Sequence, residues 1–110
     1  MSGADSEFDH TALDDLLHSR IRLAVMAVLA SVEQAEFSFL KQQVKATDGN
    51  LGAHLRKLEE AGYLTATKQF VDRKPQTRYA LSATGYQALA AHLRKLEAML
   101  TGVQTQQQEK

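Results

Sequence analysis

The chain reads as a mainly α domain with a small β-hairpin, an α+β fold in which helices do most of the packing. Three observations predict this. Apolar residues recur at helical spacing in several separate stretches. The period changes between Tyr63 and Leu81, where strand formers flank a proline turn. At the centre, a leucine-striped helix runs into a glycine, Gly62, as a helix stop requires.

Residues 1–10 are small, acidic and non-periodic, which predicts a loose tail. Leu13, Leu16 and Leu17 then form a first apolar turn or two, and Ser19 carries a side-chain oxygen that can cap a new helix. Ile21, Ala24, Val25, Val28 and Leu29 follow at the spacing of a buried helix face. Leu23, Met26 and Ala27 add apolar surface on a second side. A helix apolar on two sides wants two partners, its own core and a second subunit. Ser31 to Glu36 reads as a connection. Phe37-Ser38 reads as a very short strand, and Phe39, Leu40 and Val44 as a helix to about Ala46 that is too short to stand alone.

Thr47 or Asp48 can cap the central helix, since each offers an oxygen to an orphan backbone N–H. Leu51, Leu55 and Leu58 make its apolar stripe. Opposite them on a helical projection lie Gly49, Ala53, Arg56 and Lys57, with Asn50 and His54 at one edge. That face is small, polar and basic. Tyr63 to Val71 reads as a strand, Asp72 to Gln76 as a turn around Pro75, and Thr77 to Leu81 as a second strand. The hairpin carries Lys68, Arg73, Lys74 and Arg78. Ser82 can cap a last helix, in which Leu89, Leu93, Leu96, Leu100 and Val103 repeat as a heptad seam. Thr101-Gly102 reads as its end, and residues 104–110 as a polar tail. One domain, 11–103, holds the elements together.

Composition narrows the function. At 110 residues there is room for one modest core. The longest apolar patch, Leu23 to Val32, is about half of the ~20 residues that span a bilayer. The acidic start lacks the basic and apolar regions of a signal peptide. With no cysteine, a disulfide framework and a thiolate zinc site are excluded, and a cytoplasmic location is the expectation. His10, His18, His54 and His92 supply no i, i+4 pair on one helix, so neither a metal nor another cofactor is expected. No nucleophile elbow or phosphate-binding glycine loop suggests an enzyme. Net charge is zero, yet it is unevenly spread. Residues 1–15 hold five acids and no Lys or Arg, while residues 41–78 hold eight basic residues against four acids. A basic middle fits a local surface for a polyanion.

The order helix, helix, glycine-stopped helix, basic hairpin, helix is that of a winged helix-turn-helix. Asp48-Gly-Asn-Leu51 with His54-Leu-Arg-Lys-Leu-Glu-Glu-Ala-Gly-Tyr-Leu64 resembles the recognition helix of small MarR/ArsR-like transcriptional regulators. Leu17-His-Ser-Arg-Ile-Arg-Leu23 looks like the opening of their first helix, and Tyr79-Ala-Leu-Ser-Ala-Thr-Gly85 like their entry to the last one. The resemblance spans roughly Leu13 to Leu100. It implies a homodimer on double-stranded DNA, with the helix 48–61 in the major groove and the wing 68–78 reaching backbone or minor groove. The DNA-contacting candidates are then Thr47, Gly49, Asn50, Ala53, His54, Arg56, Lys57, Lys68, Arg73, Lys74 and Arg78. Candidates for the dimer interface are Leu13, Leu16, Leu17, Leu23, Leu89, Leu93, Leu96, Leu100 and Val103. An unidentified small-molecule effector is compatible with this plan. A second class stays open: a winged-helix module that binds protein rather than DNA.

Overall fold

The computed structural model describes residues 14–108. Leu13 and the tail 1–10 lie outside them. A 3-10 turn (Asp15–His18) leads into α1 (Arg20–Ala30), followed by β1 (Ala35–Glu36), α2 (Phe37–Val44) and α3 (Asp48–Glu60). Strands β2 (Leu64–Val71) and β3 (Lys74–Leu81) precede the long α4 (Ala83–Gln108). The antiparallel sheet has the order β1-β3-β2.

Local chemistry explains most boundaries. The Asp14 carboxylate accepts from the Leu16 N–H at 2.9 Å, and Ser19 Oγ accepts from the Arg22 N–H at 3.3 Å, so each short element has its cap. Lys45 turns left-handed, φ 55°, and ends α2. Thr47 Oγ1 then accepts from the Asn50 N–H at 3.2 Å and starts α3. At the far end of α3, Gly62 adopts φ 81°. Its N–H reaches the Glu59 carbonyl, and the Tyr63 N–H reaches that of Leu58, each at 2.9 Å. This paired closure is the Schellman stop that the glycine predicted.

Leu17, Val25, Met26, Leu29, Leu40, Leu51, Leu55, Leu58, Leu64 and Leu89 form the core. Helix α1 lies at its centre and touches α2, α3, α4 and β3. Leu17 and Leu89, expected at a subunit interface, are instead sealed inside their own protomer at 1% and 5% exposure. Leu17 belongs to a turn folded back on the core, and Leu89 to the first part of α4, where that helix is still packed on the domain.

The N-terminus of α4 is docked on the stop of α3. The Ser82 N–H donates to the Tyr63 carbonyl at 2.9 Å. Ser82 Oγ donates to the Gly62 carbonyl and accepts from the Gly85 N–H. Gly85 presses so closely on the same loop that a Cβ there would lie 2.2 Å from the Tyr63 carbonyl oxygen. The Leu-Ser-x-x-Gly sequence is thus a joint between two helices.

Four boundaries differ from expectation. The short strand is Ala35–Glu36, not Phe37-Ser38: Ala35 pairs with Tyr79 and Glu36 with Arg78, while Phe37 already begins α2. The hairpin therefore gains a third strand. The turn is two residues, Asp72-Arg73, and β3 starts at Lys74. Pro75 opposes Phe70 within the ladder. It lies one pair in from the hydrogen-bonded Val71–Lys74 closure, so its missing N–H faces the open edge that β1 does not reach. Finally, α4 passes through Thr101-Gly102 to Gln108. One glycine in a helix costs only about 1 kcal/mol relative to alanine, too little to stop good helix formers.

The molecule is elongated, 62 × 25 × 23 Å, with a radius of gyration of 17.0 Å. A compact chain of this length would have about 13 Å. The excess comes from α4, about 39 Å long at helical rise, whose C-terminal half leaves the core. Among the described residues, no helix is long and apolar enough to cross a membrane.

Candidate nucleic-acid interface

Helix α3 is fixed by its leucines. Leu51, Leu55 and Leu58 are buried to 2% exposure or less, so rotation about the helix axis is set by the core. Gly49, Asn50, Ala53, Arg56 and Lys57 consequently sit on the exposed side, as the projection predicted. Thr47 is exposed too, but its oxygen is occupied by capping. The N-terminal end of α3 and the last turn of α2 are tied by Asp48 and Lys41, 2.7 Å apart. Both are well exposed, so this pair contributes little stability, on the order of 0–1 kcal/mol. It does absorb the Asp48 charge beside the exposed face.

His54 is half-buried at the border between the core and that face. Arg22 reaches it from α1: Arg22 Nη1 donates to His54 Nδ1 at 3.0 Å, and Arg22 Nε donates to the Leu16 carbonyl. Burial lowers the His54 pKa, and the charges of Arg22 and Lys57 lower it further. The ring is therefore neutral near pH 7, with Nδ1 the acceptor and Nε2 the protonated donor. An Nε2–H aimed from this border suits an acceptor such as a guanine N7 or a phosphate oxygen.

The wing extends from the core on the other side of α3. Leu64 and Leu81 anchor its base, with Ala66 and Tyr79 next to them on the same face. Burial raises the Tyr79 pKa, with Glu59 raising it and Arg56 lowering it, so α3 lies close to this face. Lys68 and Phe70 continue along it toward the tip. Lys68, Arg73 and Lys74 are exposed. Arg78 is half-buried, donates to Gln76 Oε1 at 3.2 Å, and pairs in register with Glu36. It belongs to the opposite sheet face and is less free to reach a ligand than the other three. At the tip, Asp72 and Arg73 both have positive φ, 51° and 67°, matching a type I′ hairpin turn. Asp tolerates that region, whereas Arg has no local hydrogen bond to offset a cost of roughly 1 kcal/mol.

A second polar cluster was not legible in the chain order. Tyr63, just past the stop of α3, donates to Asp14 Oδ2 at 2.6 Å. The Asp14 N–H in turn points to His92 Nδ1 on α4, 3.4 Å away. The hydrogen bond to Asp14, then burial and the Asp14 charge, push the Tyr63 pKa to about 12. His92, 4% exposed, is thus a structural histidine that joins α4 to the start of the chain. These three residues are separated by 49 and 78 positions, so no spacing rule could bring them together. Among the described residues, no group of His, Cys, Asp or Glu is arranged to hold a metal.

Of the remaining interface candidates, Leu16, Leu23 and Leu96 are half-buried, while Leu93, Leu100 and Val103 are about half exposed. Tyr86, not among the candidates, is 47% exposed and lies seven residues before Leu93, which lies seven before Leu100. An apolar stripe with a heptad period therefore runs along the outer side of α4.

Known proteins share this design. Residues 21–100 match the family model described as a winged helix DNA-binding domain. An uncharacterized protein of Methanocaldococcus jannaschii is 34% identical over 70 residues, 64% of this chain and 76% of its own length. Among solved structures, a transcriptional regulator homologue from Pyrococcus horikoshii OT3 superposes with a TM-score of 0.77 at 27% identity, covering 94% of this chain and 98% of its own. A protein of Salmonella typhimurium named "putative transcriptional regulator ytfH" gives 0.63 at 25% identity, covering 84% and 85%.

Proposed function

The chain belongs to the winged helix DNA-binding domain family, and from that premise we propose that it is a cytoplasmic transcriptional regulator that binds operator DNA as a homodimer. The observation that carries this is the division of α3: one side is wholly committed to the core, and the other offers small, polar and basic residues beside a cationic wing. A helix so presented fits the major groove. Asn50 is suited to an adenine edge, His54 Nε2–H and Lys57 to guanine acceptors, and Arg56 to phosphate. Gly49 and Ala53 allow close approach of the backbone. Lys68, Arg73 and Lys74 neutralise phosphates along the wing.

The exposed Tyr86, Leu93, Leu100 and Val103 stripe supports the dimer, because a surface of that period is covered when a second copy meets it. Two such protomers would address half-sites about one helical turn apart. Regulation is by occupancy, without catalysis. An effector, if one binds, acts by altering the angle or spacing of the two α3 helices.

Substitution tests the reading. Lys57→Ala is expected to weaken binding, most on sequences that present a guanine to it. Asn50→Ala is expected to change sequence preference more than salt response. Titrations of both variants against a mixed duplex pool at two salt concentrations check this. Binding unchanged in both would remove α3 from the interface. The neutral net charge keeps a protein-binding module as the second reading, which predicts no salt-dependent DNA affinity.

A further inference from the structure

Phe70 is the most exposed large apolar side chain among the described residues, at 78%. It does not sit in a loop, where exposure would be ordinary. It occupies a paired position in β2, opposite Pro75, on the sheet face that begins at Leu64 and Leu81 in the core. Six residues separate Phe70 from Leu64, so the strand carries it about 20 Å beyond its anchor. Val71, next to it, is 38% exposed on the other face. The tip is thus an apolar point, Phe70 opposite Pro75, set among cations: Lys68 two pairs inward on the same face, and Arg73 and Lys74 at and beside the turn. Asp72 is the opposing charge. Exposed aromatics cost solubility and are usually avoided on hairpin ends.

Resting on the DNA-binding reading above, we infer that the Phe70–Pro75 pair is an apolar wedge that enters the minor groove and partly unstacks a base step, bending the duplex. Apolar side chains inserted between base steps kink DNA toward the major groove. The flanking Lys68, Arg73 and Lys74 hold the two phosphate backbones on either side of the point. A two-residue turn makes the tip narrow, as a groove about 6 Å wide demands. Flexible pyrimidine–purine steps yield most easily, so the wing contributes sequence preference without reading base edges.

The test uses the whole protein and a duplex of about 30 base pairs recovered from a random pool, long enough for two half-sites one turn apart. Affinity is read by anisotropy at two salt concentrations, and bending by energy transfer between dyes on the duplex ends. Phe70→Ala is expected to bind about tenfold more weakly, to keep the wild-type salt slope, and to lose the bend. Phe70→Leu, which retains an apolar wedge, is expected to keep most of both. Thermal unfolding of Phe70→Ala should match wild type, since the ring is not in the core. The inference is overturned if Phe70→Ala binds and bends like wild type, if wild type binds without bending, or if affinity and salt slope fall together, because Phe70 then merely supports the cations. A loss of dimer mass in Phe70→Ala would also overturn it, assigning the ring to a second copy. Wild type that binds no duplex at low salt would refute the regulator reading and this inference with it, an outcome distinct from the other four.

Discussion

Gly85 and Gly52 show how differently one residue type is used. A methyl at Gly85 would collide with the Tyr63 carbonyl oxygen and crowd Leu81 Cδ1, whereas Gly52 has nothing within 4 Å of a built Cβ. Gly85→Ala should therefore pry α4 from the stop of α3, costing about 2 kcal/mol and lowering Tm by ~10 °C. Gly52→Ala should instead stabilise by roughly 0.5–1 kcal/mol, because helix entropy is regained without a clash. Calorimetry on the two variants reads both signs. His54 gives a pH prediction. Its folded pKa lies below the ordinary histidine value of 6.5, through burial and the Arg22 and Lys57 charges. The unfolded chain then binds more protons in that window, so this contribution is present above pH 6.5 and is lost as pH falls toward the folded pKa. Wild type should lose more Tm between pH 7 and 5 than His54→Gln, whose amide oxygen can still accept from Arg22. Equal losses would mean that the Arg22–His54 bond does not govern the titration.

Elements were legible wherever periodicity was long. The leucine stripe of α3, the Gly62 stop and the Ser19, Thr47 and Ser82 caps appear in the structure as local rules require. The misread boundaries share a cause. Ala35–Glu36 carries no strand-forming side chain and becomes a strand only because β3 offers a partner. Pro75 looked like turn chemistry, yet it is tolerated in the ladder where its nitrogen faces an open edge. Thr101-Gly102 looked like a stop, but the helix tolerates one glycine. Nor could sequence spacing reveal the Arg22–His54 or Tyr63–Asp14–His92 contacts, since each joins residues from separate elements. These contacts matter because they connect α3 to other elements at two points: Arg22 at its middle, through His54, and Asp14 just past its stop, through Tyr63. Helix α3 is therefore held by more than its leucines.

At the scale of the molecule, the heptad reading of α4 divides in two. Leu89 serves its own core, while Leu93, Leu100 and Val103 stay open along the outer side of the helix. A monomer gains nothing from extending an apolar helix into water. A dimer gains a fixed distance between two α3 helices and twice the number of phosphate contacts. The most direct measurement of this account is anisotropy with light scattering on wild type and Leu100→Asp at two salt concentrations. Wild type should bind duplex DNA as a dimer, with affinity falling steeply as salt rises, and Leu100→Asp should be a folded monomer that binds far more weakly. A folded wild type that binds no duplex at low salt, or binds equally at both salts, would contradict it.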